Sequence, residues 1–315
     1  MYYSLKYGTF FTESILLDRK IFDYEISDRY SYLDDAAFPL VINWGINGEC
    51  QNQCVYCFSN DYRAQCEIKE KGDLQKTITV IKKLNPKVVV LSGGEPLLHP
   101  LFEWIVLEVR TFAEVIVDTN GILLNTSMIK FLMDNDVHIR VSLDSHINEL
   151  NDSIRKSSIK CHTEKIKENI NFLLNMKANF TLQTVLTPLN SKCLIDFGNY
   201  LITWGVQNWR VQLVVPKNIF EKKYKSELWY KQAIMDLKEY ANANQDVILV
   251  RLANIKEVGK SIILISPDGD FMTRDPDCIE KVLIDNKHSK DPSAIQLSMM
   301  IDKQSHKKRY TDEII

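Results

Sequence analysis

The sequence lacks any apolar run long enough to cross a bilayer, and its first thirty residues are too interrupted by charge to form a signal peptide. A cytoplasmic protein with no membrane partner is expected. It also lacks an excess of either charge: 39 Lys and Arg against 41 Asp and Glu leave a net charge of −2, so no general attraction to nucleic acid is expected. There is no internal repeat, no low-complexity tract and no linker rich in Pro, Gly or Ser, and composition marks no domain boundary. Nor is there a disulfide framework. The seven cysteines are odd in number and three crowd into eight residues, which in a reducing compartment favours metal binding.

What is present is an ordinary globular composition, 45% hydrophobic and 25% charged over 315 residues, enough for one core with an extension. Short apolar runs alternate with segments of helical period, the pattern of βα units on a parallel sheet. Six strands are predicted at Pro39–Ile46, Lys87–Ser92, Val115–Thr119, His138–Leu143, Phe180–Leu186 and Trp209–Val215. Helices are predicted at Asp73–Leu84, Leu101–Thr111, Ser127–Asn135, Glu164–Met176, Leu194–Trp204 and Ser226–Ala243. Six βα units make an α/β fold, either a partial barrel or an open doubly wound sheet, and in both the chemistry gathers at the carboxyl ends of the strands. Residues 1–38 read as an N-terminal extension with a small β hairpin, 39–244 as the core, and 245–315 as a small α+β appendage. In that appendage Val247–Leu252 and Ile262–Ser266 are predicted to be antiparallel. The five tryptophans fall in predicted strands and helices and read as core.

The first strand leads directly into Cys50-Gln-Asn-Gln-Cys54-Val-Tyr-Cys57. Three soft thiolates on one short polar loop suit zinc or an iron–sulfur cluster. A structural zinc wants four closed ligands, and Cys66 is the one nearby thiol that could complete such a set; a four-iron cluster on three cysteines keeps one iron open. The second strand ends in Gly93-Gly94-Glu95-Pro96, where two glycines allow close approach to the backbone and a carboxylate can receive an ammonium group.

The cysteine run with an aromatic before its last thiol, the Gly-Gly-Glu-Pro turn and the later strand ends together resemble the radical S-adenosylmethionine superfamily, in register over residues 39–215. The resemblance implies a partial (β/α)6 barrel and a [4Fe–4S] cluster on Cys50, Cys54 and Cys57, with S-adenosylmethionine on the open iron. It implies Tyr56 near the adenine, Gly93, Gly94 and Glu95 around the methionine amino group, and Asn120 at the rim. Ser142, Asp144, Arg155 and Leu186 are implied as further cofactor contacts. It also implies an electron donor such as flavodoxin or ferredoxin, and a 5′-deoxyadenosyl radical that abstracts hydrogen from a substrate.

Residues 245–315, with the Ser266–Asp270 turn and His306–Tyr310, resemble the SPASM/twitch appendage of peptide-modifying members, yet hold only Cys278, too few thiols for an auxiliary cluster. A ribosomally made peptide is the first expectation for the substrate, modified or epimerised, and a nucleotide or small metabolite the second. A radical left on the substrate can then take hydrogen from a donor, eliminate, add the deoxyadenosyl group or return its electron to the single cluster; a thiol such as Cys161, Cys193 or Cys278 could donate that hydrogen if it lies at the barrel mouth. Lys307, Lys308 and Arg309 read as a solvated basic end.

Overall fold

The computed structural model describes residues 1–11, 33, 38–57, 68–214, 228–253, 262–274, 280–284 and 303–311. Cys66, Cys278 and the side chains of Trp229, Lys308 and Arg309 lie outside the described residues. No helix among the described residues is long and apolar enough to cross a membrane.

The six predicted strands are present and parallel: β3 (Val41–Asn47), β4 (Val88–Gly93), β5 (Glu114–Thr119), β6 (His138–Ser142), β7 (Phe180–Leu186) and β8 (Asn208–Leu213). They follow β1 (Tyr2–Ser4) and β2 (Thr9–Phe11), an antiparallel pair. Between them run α1 (Lys71–Leu84), α2 (Phe102–Arg110), α3 (Thr126–Asp134), α4 (Asn148–Ile154), α5 (His162–Asn175) and α6 (Leu194–Trp204). Local chemistry explains the boundaries. In α1 the buried face is Leu74, Ile78, Ile81 and Leu84, and the helix stops at Asn85 in the left-handed region; α6 stops the same way at Gly205. Asn125 caps α3, its side chain accepting from the Met128 N–H at 2.8 Å.

The segment after α7 (Leu228–Ala243) differs from the expectation of an antiparallel appendage. β9 (Leu249–Leu252) pairs in parallel with β8, and β10 (Leu264–Ile265) pairs in parallel with β3 at the opposite edge. In this segment the antiparallel pairings are those of β11 (Phe271–Arg274) with β10 on one side and β12 (Glu280–Ile284) on the other. The result is one ten-stranded sheet, ordered β12-β11-β10-β3-β4-β5-β6-β7-β8-β9, whose end strands do not pair with each other. The sheet curls, because residues from β10 through β8 line a single interior chamber. It is a partial barrel.

Both ends of the chain close the barrel floor. Tyr3, Phe10 and Met1 of the hairpin pack on Val41, Val88, Val90 and Ile116. On α8 (Lys303–Thr311), His306 is buried and its Nε2 accepts from the Leu40 N–H at 3.0 Å, which holds this helix against the start of β3. Trp44 and Trp209 are core, as expected. Trp104 and Trp204 are half-buried on helix surfaces, one beneath the Lys71 ammonium and the other donating to Asn171.

His138 ties the hairpin to the sheet. Its Nδ1 lies 3.0 Å from the Leu5 carbonyl, which can only accept, so Nδ1 carries the proton. Nε2 then accepts from Thr181 Oγ1 at 2.7 Å, and the ring is neutral. Burial, with Arg251 and Arg140 adding to it, pushes its pKa down to about 3. The unfolded chain therefore binds more protons between its own value of about 6.5 and that depressed value, and stability is lost as pH falls through this window. From pH 7 to pH 5 this single group should remove about 2 kcal/mol. Denaturant unfolding of wild type and His138→Gln at the two pH values checks it: the pH-dependent loss should shrink by about that amount in the variant.

Candidate active site

The loop that follows β3 carries the three cysteines and is clamped from two sides. Toward β4, Asn47 O accepts from Gly94 N at 2.9 Å and Glu49 O from Glu95 N at 2.6 Å. This approach demands glycine: a Cβ on Gly94 would lie 2.0 Å from Glu49 O, and one on Gly93, at φ +121°, would lie 2.4 Å from Asn47 O. The Gly-Gly pair thus seats the root of the cysteine loop as well as opening the backbone to the chamber. Toward α4, Val55 N donates to Ile154 O at 2.9 Å, Gln53 N to Lys156 O at 2.6 Å, and Asn52 Nδ2 to Arg155 O at 3.2 Å. Cys50, Cys54 and Cys57 are thereby presented to one chamber of about 250 Å³. Cys50 Sγ accepts from Asn52 N at 3.4 Å and from Asn120 Nδ2 at 3.9 Å, and burial pushes the Cys54 thiol up to about 11, against the pull of Arg155.

Tyr56, Gly93, Gly94, Asn120, Ser142 and Arg155 line the same chamber. Asp144 does not. It sits behind them, accepting from Tyr56 Oη at 2.6 Å, Val185 N at 2.7 Å and Arg155 Nη1 at 3.4 Å, so it positions two lining side chains instead of touching a ligand. Burial raises the Asp144 pKa, while the Arg155 guanidinium and the Tyr56 and Val185 hydrogen bonds oppose the rise. Glu95 is also displaced from the expected role. Fully buried, it accepts from Thr119 Oγ1 at 2.7 Å, Asn120 N at 2.8 Å and Leu97 N at 3.2 Å, and so ties β4 to the loop after β5. Its pKa is pushed up to about 7 by that burial, against those bonds. Leu186 faces the helices; alternation along β7 turns Val185 and Gln183 to the chamber. Cys161 is exposed at the start of α5 and Cys193 precedes α6, and neither lines the chamber, so neither is placed to donate hydrogen to a radical held there.

Residues 46–200 match the Radical SAM superfamily. The chain carries a radical S-adenosylmethionine domain. It is similar to the mycofactocin maturase MftC of Mycobacterium ulcerans, 27% identical over 170 residues that make up 53% of this chain and 45% of the maturase. The match thus spans about half of that relative's length. It is also similar to the S-adenosylmethionine-dependent nucleotide dehydratase of Flammeovirga pacifica, 22% identical over 73% of this chain and 81% of that protein. Native anSMEcpe with bound AdoMet and Cp18Cys peptide shares the fold, with a TM-score of 0.68 and 17% identity over 86% of this chain and 82% of that one.

The cofactors of a radical S-adenosylmethionine domain, a [4Fe–4S] cluster and S-adenosylmethionine, fit the residues gathered here. Among the described residues no three His, Cys, Asp or Glu side chains converge on one metal ion; thiolates of a polynuclear cluster bind separate irons and need no such convergence. Arg155 Nε is buried without a hydrogen-bond partner, a donor in reserve for a carboxylate. Several lining residues carried no motif: Asn43, Asp118, Arg140, Gln183, Arg210 and Gln212. Their signal was a polar residue at every second position of otherwise apolar strands.

Proposed function

We propose that this chain cleaves S-adenosylmethionine reductively and directs hydrogen abstraction from a substrate held in the barrel chamber. The observation that carries this reading is the convergence on one chamber of the three loop cysteines, the Gly93-Gly94 turn, Ser142 and Arg155. Cys50, Cys54 and Cys57 would hold the cluster. Bound there and reduced by a donor such as flavodoxin or ferredoxin, a [4Fe–4S] cluster supplies the electron that splits the sulfonium. The Gly93-Gly94 backbone would receive the methionine amino group, Arg155 and Ser142 the carboxylate, and Tyr56 the adenine, with Asn120 at the rim and Asp144 holding Arg155 and Tyr56 in place. The chamber wall limits the water that reaches the reacting carbon, which would otherwise take hydrogen indiscriminately.

The substrate in this reading is a ribosomally made peptide, supported by similarity to a maturase and to the fold of a protein with bound peptide. A nucleotide is the second reading, favoured by the nucleotide dehydratase, which aligns over the larger share of both chains. To separate them, the reduced holoenzyme and S-adenosylmethionine are incubated with deuterated cell extract split into peptide and filtered metabolite fractions. Deuterium in 5′-deoxyadenosine should follow the peptide fraction. Deuterium that follows the metabolites instead favours the second reading, and deuterium from neither contradicts hydrogen abstraction.

A further inference from the structure

Asn120, the residue that follows β5, is buried and its side chain is oriented from both ends. Its Oδ1 accepts from the Ile122 N–H at 2.9 Å, which assigns the amide and turns Nδ2 toward the cysteine loop, 3.9 Å from Cys50 Sγ. The backbone beneath it is held as firmly. Asn120 N donates to Glu95 Oε2 at 2.8 Å and Thr119 Oγ1 to Glu95 Oε1 at 2.7 Å, while Asn169 Nδ2 donates to Gly121 O at 2.8 Å and Ile122 O at 3.1 Å.

Cys50 Sγ accepts from a second N–H, that of Asn52 at 3.4 Å, and Asn52 is itself tied through Nδ2 to Arg155 O. Two N–H groups from separate segments thus meet one sulfur. The cysteine loop does not need the Asn120 contact to keep its place, because backbone bonds to Gly94, Glu95, Ile154 and Lys156 already hold it. A neutral thiol is a weak acceptor and gains little from such donors, whereas an iron-bound thiolate carries negative charge and gains more. Taking up one electron adds further negative charge, part of it on the sulfurs, so donors to sulfur favour the reduced form of a cluster.

We infer that the Asn120 amide, by donating to Cys50 Sγ, raises the reduction potential of the cluster held by Cys50, Cys54 and Cys57. Glu95 serves this contact as a positioning residue, since it fixes the Asn120 backbone. The step is a one-electron transfer from the donor to the cluster, in which no bond forms or breaks. The inference rests on the reading that the three loop cysteines hold a [4Fe–4S] cluster, and it adds a residue that sets how readily that cluster accepts its electron.

The test is a redox titration of the anaerobically reconstituted holoprotein with dithionite and low-potential mediators, without S-adenosylmethionine. The reduced cluster is read by its electron paramagnetic resonance signal at each potential. Asn120→Leu removes the donor; Asn120→Asp keeps an acceptor for the Ile122 N–H, and so guards the loop, but turns an oxygen toward Cys50. In both, the ratio of reduced to oxidised cluster at a given potential should fall at least about threefold, a downward shift of about 30 mV at about 59 mV per tenfold for one electron. Asn169→Ala, which loosens the same loop from the side away from Cys50, should keep the wild-type potential. Unchanged potentials in both Asn120 variants, or an equal fall in Asn169→Ala, overturn the inference. Loss of iron from both Asn120 variants overturns it too, since the amide would then retain the metal instead of tuning it. A wild-type protein that takes up no four-iron cluster would instead strike the proposed function.

Discussion

Replacing Cys50, Cys54 or Cys57 singly with alanine should reduce iron and sulfide to background and abolish 5′-deoxyadenosine release. The reason is the ligand count: the loop offers three thiols to the chamber, and no other cysteine among the described residues lines it. A cluster with two protein thiolates is exposed to loss of further iron, and structural partners do not compensate because their hydrogen bonds orient the loop without binding metal. Cys161→Ala, Cys193→Ala and Cys278→Ala should keep full iron content. Iron analysis with visible absorption checks all six variants; retention of a full cluster in Cys54→Ala would mean that the ligands are elsewhere.

Gly94→Ala should be as damaging as the loss of a ligand, although no cofactor atom need touch the new methyl group. The Cβ would meet Glu49 O at 2.0 Å, backbone against backbone, and neither strand end can move without breaking the Gly94–Asn47 or Glu95–Glu49 hydrogen bonds. Overpacking of this kind costs about 1–3 kcal/mol, and relief must come from shifting the loop that carries Cys50. The expected outcome is a protein that folds, shows weakened unfolding stability and incorporates little iron. Gly72→Ala on α1 is the control, since nothing lies within 4 Å of its added Cβ. Equal iron content in both variants would show that the loop tolerates displacement.

The six central strands were legible because parallel strands under helices read as apolar runs, and Val88–Leu91 is buried throughout. Six helices were legible from their period; the seven-residue α4 and the strongly polar α8 were not among those predicted. Pairing at the sheet edges was not: β9 beside β8 and β10 beside β3 are non-local choices that a run of four or two residues does not encode. The cysteine loop and Gly-Gly turn were legible because their residue types are unusual for core or surface. Leu186 was misplaced for Val185 because a one-residue change of phase swaps the faces of a strand, and both neighbours are apolar. Glu95 and Asp144 show a different limit. A carboxylate next to a ligand site and one that organises the site look alike in sequence; only the donors around Glu95, from Thr119, Asn120 and Leu97, separate them.

The most direct measurement is anaerobic reconstitution of the wild-type chain with iron and sulfide, followed by reduction in the presence of S-adenosylmethionine. A radical S-adenosylmethionine enzyme should bind about four irons and four sulfides per chain and release 5′-deoxyadenosine only after reduction. Bound zinc in place of iron, or a full cluster that never cleaves S-adenosylmethionine, would contradict it.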